Sequence, residues 1–179
     1  MNATVFLVDT LFSLYLMVVI LRLWLQMVQA DFYNPLSQFI VKATHPIVGP
    51  LRRVIPSIGR FDTATFVLAV VVCALKIVTL ALMFNGNLNP LGVLILSVVG
   101  VIKETLSLLF WVLLLRAILS WVSQGRSPID YVLYQLTEPF LAPIRKVLPP
   151  LGGLDLSVLV AIIALQFLQL LLQDLFPMF

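Results

Sequence analysis

A chain of 179 residues that is 61% hydrophobic and only 11% charged, with a mean hydropathy of +1.12, is not a soluble domain. Soluble domains carry roughly 25% charged and about 45–50% apolar residues. The net charge of +3 says little as a total, and the single Cys73, set in an apolar run, excludes an intrachain disulfide.

The first apolar run, residues 3–28, exceeds the roughly 20 residues a helix needs to cross a bilayer. Asp9 lies near its start and Arg22 near its end; Trp24 and Gln26 mark the exit into headgroups, to which Arg22 is expected to snorkel. No basic stretch precedes the run and no small-residue cleavage site follows it, so it reads as a retained span. Asn34-Pro35 then opens a helix over residues 36–44, a capping side chain followed by a residue whose missing N–H costs nothing there. Leu36, Phe39, Ile40 and Ala43 fall at helical spacing among Gln38, Lys42 and Thr44, the pattern of a helix lying in the membrane surface. Pro46 is expected to end it, Pro50 to open one more turn carrying Arg52 and Arg53, and Pro56 to close that turn. Gly59 permits the following turn, and Asp62 stands as N-cap of the next span.

The second span covers residues 64–84 and is interrupted only by Lys76; an uncharged turn follows at 85–90. Residues 91–122 are helix-compatible throughout, about 48 Å at 1.5 Å per residue, longer than a hydrocarbon core of roughly 30 Å. The polar pair Lys103-Glu104 therefore divides the run into an interfacial or tilted piece at 91–102 and a third span at 105–122. Ser127-Pro128 opens a second surface helix over 129–137, with Asp130 and Gln135 on its polar side. A second proline loop follows, and Asp155 caps the fourth span, residues 156–175.

The two loops are copies. Pro46, Pro50, Arg52, Val54, Pro56, Gly59 and Asp62 recur as Pro139, Pro143, Arg145, Val147, Pro149, Gly152 and Asp155 at a constant offset, with Arg53 answered by Lys146. Asn34-Pro35 and Ser127-Pro128 share that offset, and Leu21-Arg22 answers Leu115-Arg116 one residue further on. This is an internal duplication, dividing the chain at 1–86 and 87–179. The fold expected is all-α: four transmembrane helices in two tandem repeats of parallel orientation, each a helix, an amphipathic surface helix with its proline loop, and a helix. Residues 30–62 and 123–155 hold Lys42, Arg52, Arg53, Arg60, Arg126, Arg145 and Lys146, whereas the 85–90 turn and both tails hold no Lys or Arg. The positive-inside rule places these loops in the cytoplasm and both termini outside.

Lys42, Arg52, Arg53, Arg145 and Lys146 are the residues expected to face anionic headgroups, worth about 1 kcal/mol each near the surface, or a cytosolic partner; setting topology alone is the simpler reading. Asp9, Lys76, Lys103 and Glu104, with Gln166, Gln169 and Gln173, are polar at membrane depth. Ionisable groups there are expensive unless paired or wet, so Lys76 is expected to pair with Asp9 or Glu104, as glue between spans in preference to an ion pathway. His45 is the only histidine and fits a helix-end contact better than a ligand. No Walker loop, GxGxxG, nucleophile triad or paired-carboxylate cleft is present, so neither an enzyme nor a bound cofactor or metal is expected, and no direct nucleic-acid contact.

Asp31-Phe-Tyr-Asn-Pro35, the twin Pro-x3-Pro-x-Arg-(Arg/Lys)-x2-Pro loops and Ser120-Trp-Val-Ser-Gln-Gly-Arg-Ser-Pro128 closely resemble the YggT family of bacterial membrane proteins, with its YlmG relatives, over nearly the whole chain. The two-copy form is similar to the proteobacterial branch. The resemblance implies links to cell division and nucleoid distribution, to haem attachment in chloroplasts, and to osmotic tolerance or potassium uptake. It supplies no catalytic residues. The expectation is an inner-membrane scaffold or assembly factor with an unidentified protein partner or a second copy of itself; the alternative is a small transporter or channel component.

Overall fold

The computed structural model describes residues 2–31, 33–84, 86, 89–122, 128–147 and 156–176. Pro149, Gly152 and Asp155, Arg126 and Ser127, and half of the 85–90 turn lie outside the described residues. Among those described, the chain forms six α-helices and no β-strand: α1 (Ala3–Met27), α2 (Pro35–Val54), α3 (Thr63–Met83), α4 (Pro90–Val122), α5 (Pro128–Val147) and α6 (Leu156–Leu175). α1, α3, Pro90–Ser120 of α4, and α6 are long and apolar enough to cross a membrane.

Two compact units organise the chain, residues 1–29 with 37–105, and residues 30–36 with 106–179. In the first, α1 packs along α3. Ala64, Thr65, Leu68, Ala69, Val72 and Cys73 make the buried stripe of α3, and Leu16, Val19, Ile20 and Leu23 line that of α1. The small residues in the α3 stripe let two helices approach closely, which is what drives association when lipid is as apolar as leucine. α1 ends with Gln29 in the left-handed region (φ 53°), a helix-terminating conformation. In the second unit α5 packs on α6, which buries Ser157, Ala161 and Leu165 and leaves Leu159, Ile163, Phe167 and Leu170 exposed. That exposure is the ordinary condition of a helix bathed in lipid.

Two expected breaks are absent. α4 continues without interruption through Lys103 and Glu104 for 33 residues, because both are good helix formers and half-buried; nothing there forces a stop. α2 and α5 likewise run straight through Pro46 and Pro50, and Pro139 and Pro143. In α2 Lys42, Pro46 and Pro50 all fall on the exposed face, while Ser37, Ile40, Thr44 and Val48 keep an unbroken buried face. The carbonyls that lose a partner to each proline are those of Lys42 and Pro46, on the exposed side where solvent or headgroups can satisfy them.

Candidate functional site: two docked amphipathic helices

Asn34 starts α2 as its sequence predicts. Its Oδ1 accepts the Leu36 N–H at 2.9 Å, while its Nδ2 donates to the Pro128 carbonyl at 2.8 Å. Asp31 contributes a second tie within the same unit, its N–H donating to Gln135 Oε1 at 3.1 Å. The segment 30–36 is thereby held against the start of α5.

Arg22 does not snorkel. It is 4% exposed, and its Nη1 donates to Thr44 Oγ1 at 2.6 Å and to the Val41 carbonyl at 3.3 Å. The Thr44 hydroxyl in turn donates to the Ile40 carbonyl at 2.7 Å. A guanidinium is thus drawn off the membrane span onto the buried face of α2, since a charge taken from water demands fixed acceptors and the α2 carbonyl and hydroxyl supply them. Arg22 latches α2 to α1.

The second unit builds the same latch. Arg116 Nη1 donates to Thr137 Oγ1, which donates to the Leu133 carbonyl at 2.7 Å. Here a carboxylate is also shared with the cation: Arg116 Nη2 lies 3.5 Å from Glu138 Oε2, and Arg145 Nη1 lies 2.9 and 3.0 Å from the two Glu138 oxygens. The Arg116 guanidinium stands 4.9 Å over the Tyr134 ring. His45 occupies the Glu138 position in the first copy, so the first latch has no carboxylate at that place.

The corner after α2 is fixed by the loop residues. Ile58 and Phe61 exchange backbone hydrogen bonds at 3.0 and 3.1 Å around Gly59, whose φ is +60°, a region open mainly to glycine. The Pro56 carbonyl accepts from Thr63 Oγ1. Asp62 stands at the N-cap position of α3, fully buried, and accepts from Arg52 Nε at 3.1 Å and from Thr65 Oγ1. Burial opposes the Asp62 charge, but the hydrogen bonds from Arg52 and Thr65 and the Arg52 charge outweigh it and hold the carboxyl below the usual carboxylate range. Arg52 also reaches Gln26 Oε1 on α1.

Arg52 and Arg145, expected to face headgroups, are therefore engaged within the chain, by Asp62 and by Glu138. Lys42, Arg53 and Lys146 are exposed and, among the described residues, in no ion pair. Around them the helices expose Phe39, Ile47 and Val54, and Phe140 and Val147. Of the polar residues at membrane depth, Lys76 pairs with Asp9: Nζ lies 2.9 Å from Asp9 Oδ1 and 2.8 Å from Ser13 Oγ. Lys103 and Glu104 sit half-buried on α4. Among the described residues no three His, Cys, Asp or Glu side chains assemble into a metal-binding group. The latch threonines escaped the sequence reading, although Thr44 and Thr137 share the offset of the repeated loops and could have been found by carrying that alignment upstream.

These features define an all-α membrane protein of four apolar spans, with two amphipathic helices each fastened to a span by an arginine, Arg22 buried and Arg116 half-buried. A model of the CCB3/YggT family matches residues 1–83 and 95–176, and the chain belongs to that family. It is 61% identical over 176 residues to a protein encoded in the proC 3′ region of Vibrio alginolyticus, covering 97% of this chain and 95% of that one. It is 47% identical over 172 residues to YggT of Escherichia coli K12, covering 95% and 89%. A 63-residue stretch is 40% identical to the chloroplast protein CCB3 of Arabidopsis thaliana, named for cofactor assembly of complex C, covering 33% of this chain and 35% of that one. No solved structure matches.

Proposed function

We propose that the protein is an inner-membrane scaffold or assembly factor, not an enzyme, that displays α2 and α5 to the cytoplasmic leaflet and to a protein partner. The observation that carries this reading is the latch: Arg22 on Thr44, and Arg116 on Thr137, hold each amphipathic helix to its span. A helix that only needed to float on lipid would not require a buried guanidinium to orient it. The exposed cations Lys42, Arg53 and Lys146 suit anionic headgroups, and the exposed Val54 and Val147 beside them suit an apolar contact. The name of the chloroplast relative, which refers to cofactor assembly, is in keeping with an assembly role. Photoreactive side chains at Val54 and Val147 in native membranes provide the test. The scaffold reading expects a discrete protein adduct at both positions, lost from Val54 in Arg22→Gln; adducts to lipid alone would overturn it.

A transport reading has one observation in its favour, the Lys76–Asp9 pair with Ser13 inside the spans. Purified protein in potassium-loaded liposomes separates the two. The scaffold reading expects no more leak than empty vesicles, and a selective leak abolished by Lys76→Met would favour a channel.

A further inference from the structure

In the second unit, a cavity of about 300 Å³ opens between the end of α4 and the first turns of α5, lined by Arg116, Ser120, Asp130, Tyr131, Leu133 and Tyr134. That volume lies at the lower end of the roughly 300–1,000 Å³ of small-molecule sites. The lining is unlike the exposed faces of α2 and α5. It sets one guanidinium and one hydroxyl beside one carboxylate and two tyrosine rings, so it offers complementary groups to both signs of charge in one small space. A plain anion would meet Asp130 as well as Arg116. A plain cation would meet Arg116, already drawn over the Tyr134 ring at 4.9 Å. A zwitterion of matching length satisfies both.

The level of the cavity narrows the ligand further. α4 ends at Val122, the polar Ser123-Gln-Gly-Arg-Ser127 follows in the sequence, and α5 opens at Pro128, so the cavity lies near the end of a span, at headgroup depth. We propose that this cavity binds a phosphoethanolamine group: its phosphate on Arg116 and Ser120, its primary ammonium on Asp130 and against the Tyr131 ring. A carboxylate accepts hydrogen bonds from a primary ammonium, which a trimethylated one cannot donate. The ring of Tyr131 adds a cation–π attraction to whichever ammonium enters, so Asp130 sets the discrimination. The same chemistry is carried by phosphatidylethanolamine and by the soluble ester, and the site is independent of the scaffold reading.

Native mass spectrometry of the full chain, released from micelles holding equimolar phosphatidylethanolamine and phosphatidylcholine, tests the assignment. The two lipids carry the same phosphate and net charge, so the basic surface residues treat them alike. The expected result is retention of phosphatidylethanolamine about fivefold over phosphatidylcholine, the discrimination that one partly exposed ion pair supplies. Asp130→Asn should bring the ratio to about one, and Tyr131→Leu should weaken retention of both lipids. These variants leave the Arg116 latch in place, whereas Arg116→Gln would also undo helix docking. Equal retention of the two lipids by the parent chain, or a ratio unchanged in Asp130→Asn, would overturn the proposal. A parallel measurement with soluble phosphoethanolamine and phosphocholine identifies the source. Preference for the lipid alone assigns a bilayer component, and preference for the soluble ester as well assigns a site open to water.

Discussion

Thr44 and Thr137 do the same work with different reserves. Thr44 is the side-chain acceptor of Arg22, which among the described residues otherwise reaches only the Val41 carbonyl. Thr44→Val should therefore strip a hydrogen bond from a buried charge, costing about 1.5–3 kcal/mol. Arg116 also has Glu138 within 3.5 Å, so Thr137→Val should cost less, about 1 kcal/mol; unfolding of the solubilised variants checks the ranking. Asp62 supplies a pH-dependent contribution. Its carboxyl titrates below the ordinary value, so the ion pair with Arg52 stabilises the corner fully above the unfolded value of about 3.9 and is lost as pH falls through the lower folded one. Amide protection in residues 55–62, measured against the intrinsic exchange rate, should fall only in acid, and Asp62→Asn should remove that dependence. The Lys76–Asp9 pair was legible in the sequence because two ionisable residues at membrane depth have few partners to choose from. The Arg22–Thr44 latch was not, because snorkelling and docking begin from the same sequence position, and only the placement of α2 decides between them.

At the scale of the element, the apolar spans were legible within a residue or two: α1, α3 and α6 begin and end where hydropathy changes. Both proline-bearing helices run longer than the sequence suggested. The rule that a proline ends a helix assumes that the freed carbonyl goes unsatisfied, and Pro46 and Pro50 escape it by placing that loss on the exposed face of α2. A proline inside a helix generally bends it where the ladder is interrupted. Spin labels at Phe39 and Val54, both exposed, should lie closer than the roughly 22 Å of a straight 15-residue rise. The double variant Pro46→Ala, Pro50→Ala should restore that distance; no lengthening would show that the prolines leave α2 straight.

For the whole molecule, the duplicated sequence fastens an amphipathic helix to a span twice, once with an arginine held by a hydroxyl and a carbonyl and once with an arginine that also shares Glu138 with Arg145. The scaffold reading needs both helices on one membrane face, which the distribution of Lys and Arg along the chain favours. Val54 and Val147, aligned across the repeat, are 80% and 79% exposed and report directly on it. In a Cys73→Ala background, cysteines at these two positions should react with an impermeant thiol reagent only from the cytoplasmic side, and a cysteine at Asn2 only from outside. Reaction of the Val54 and Val147 positions from opposite faces would contradict the account.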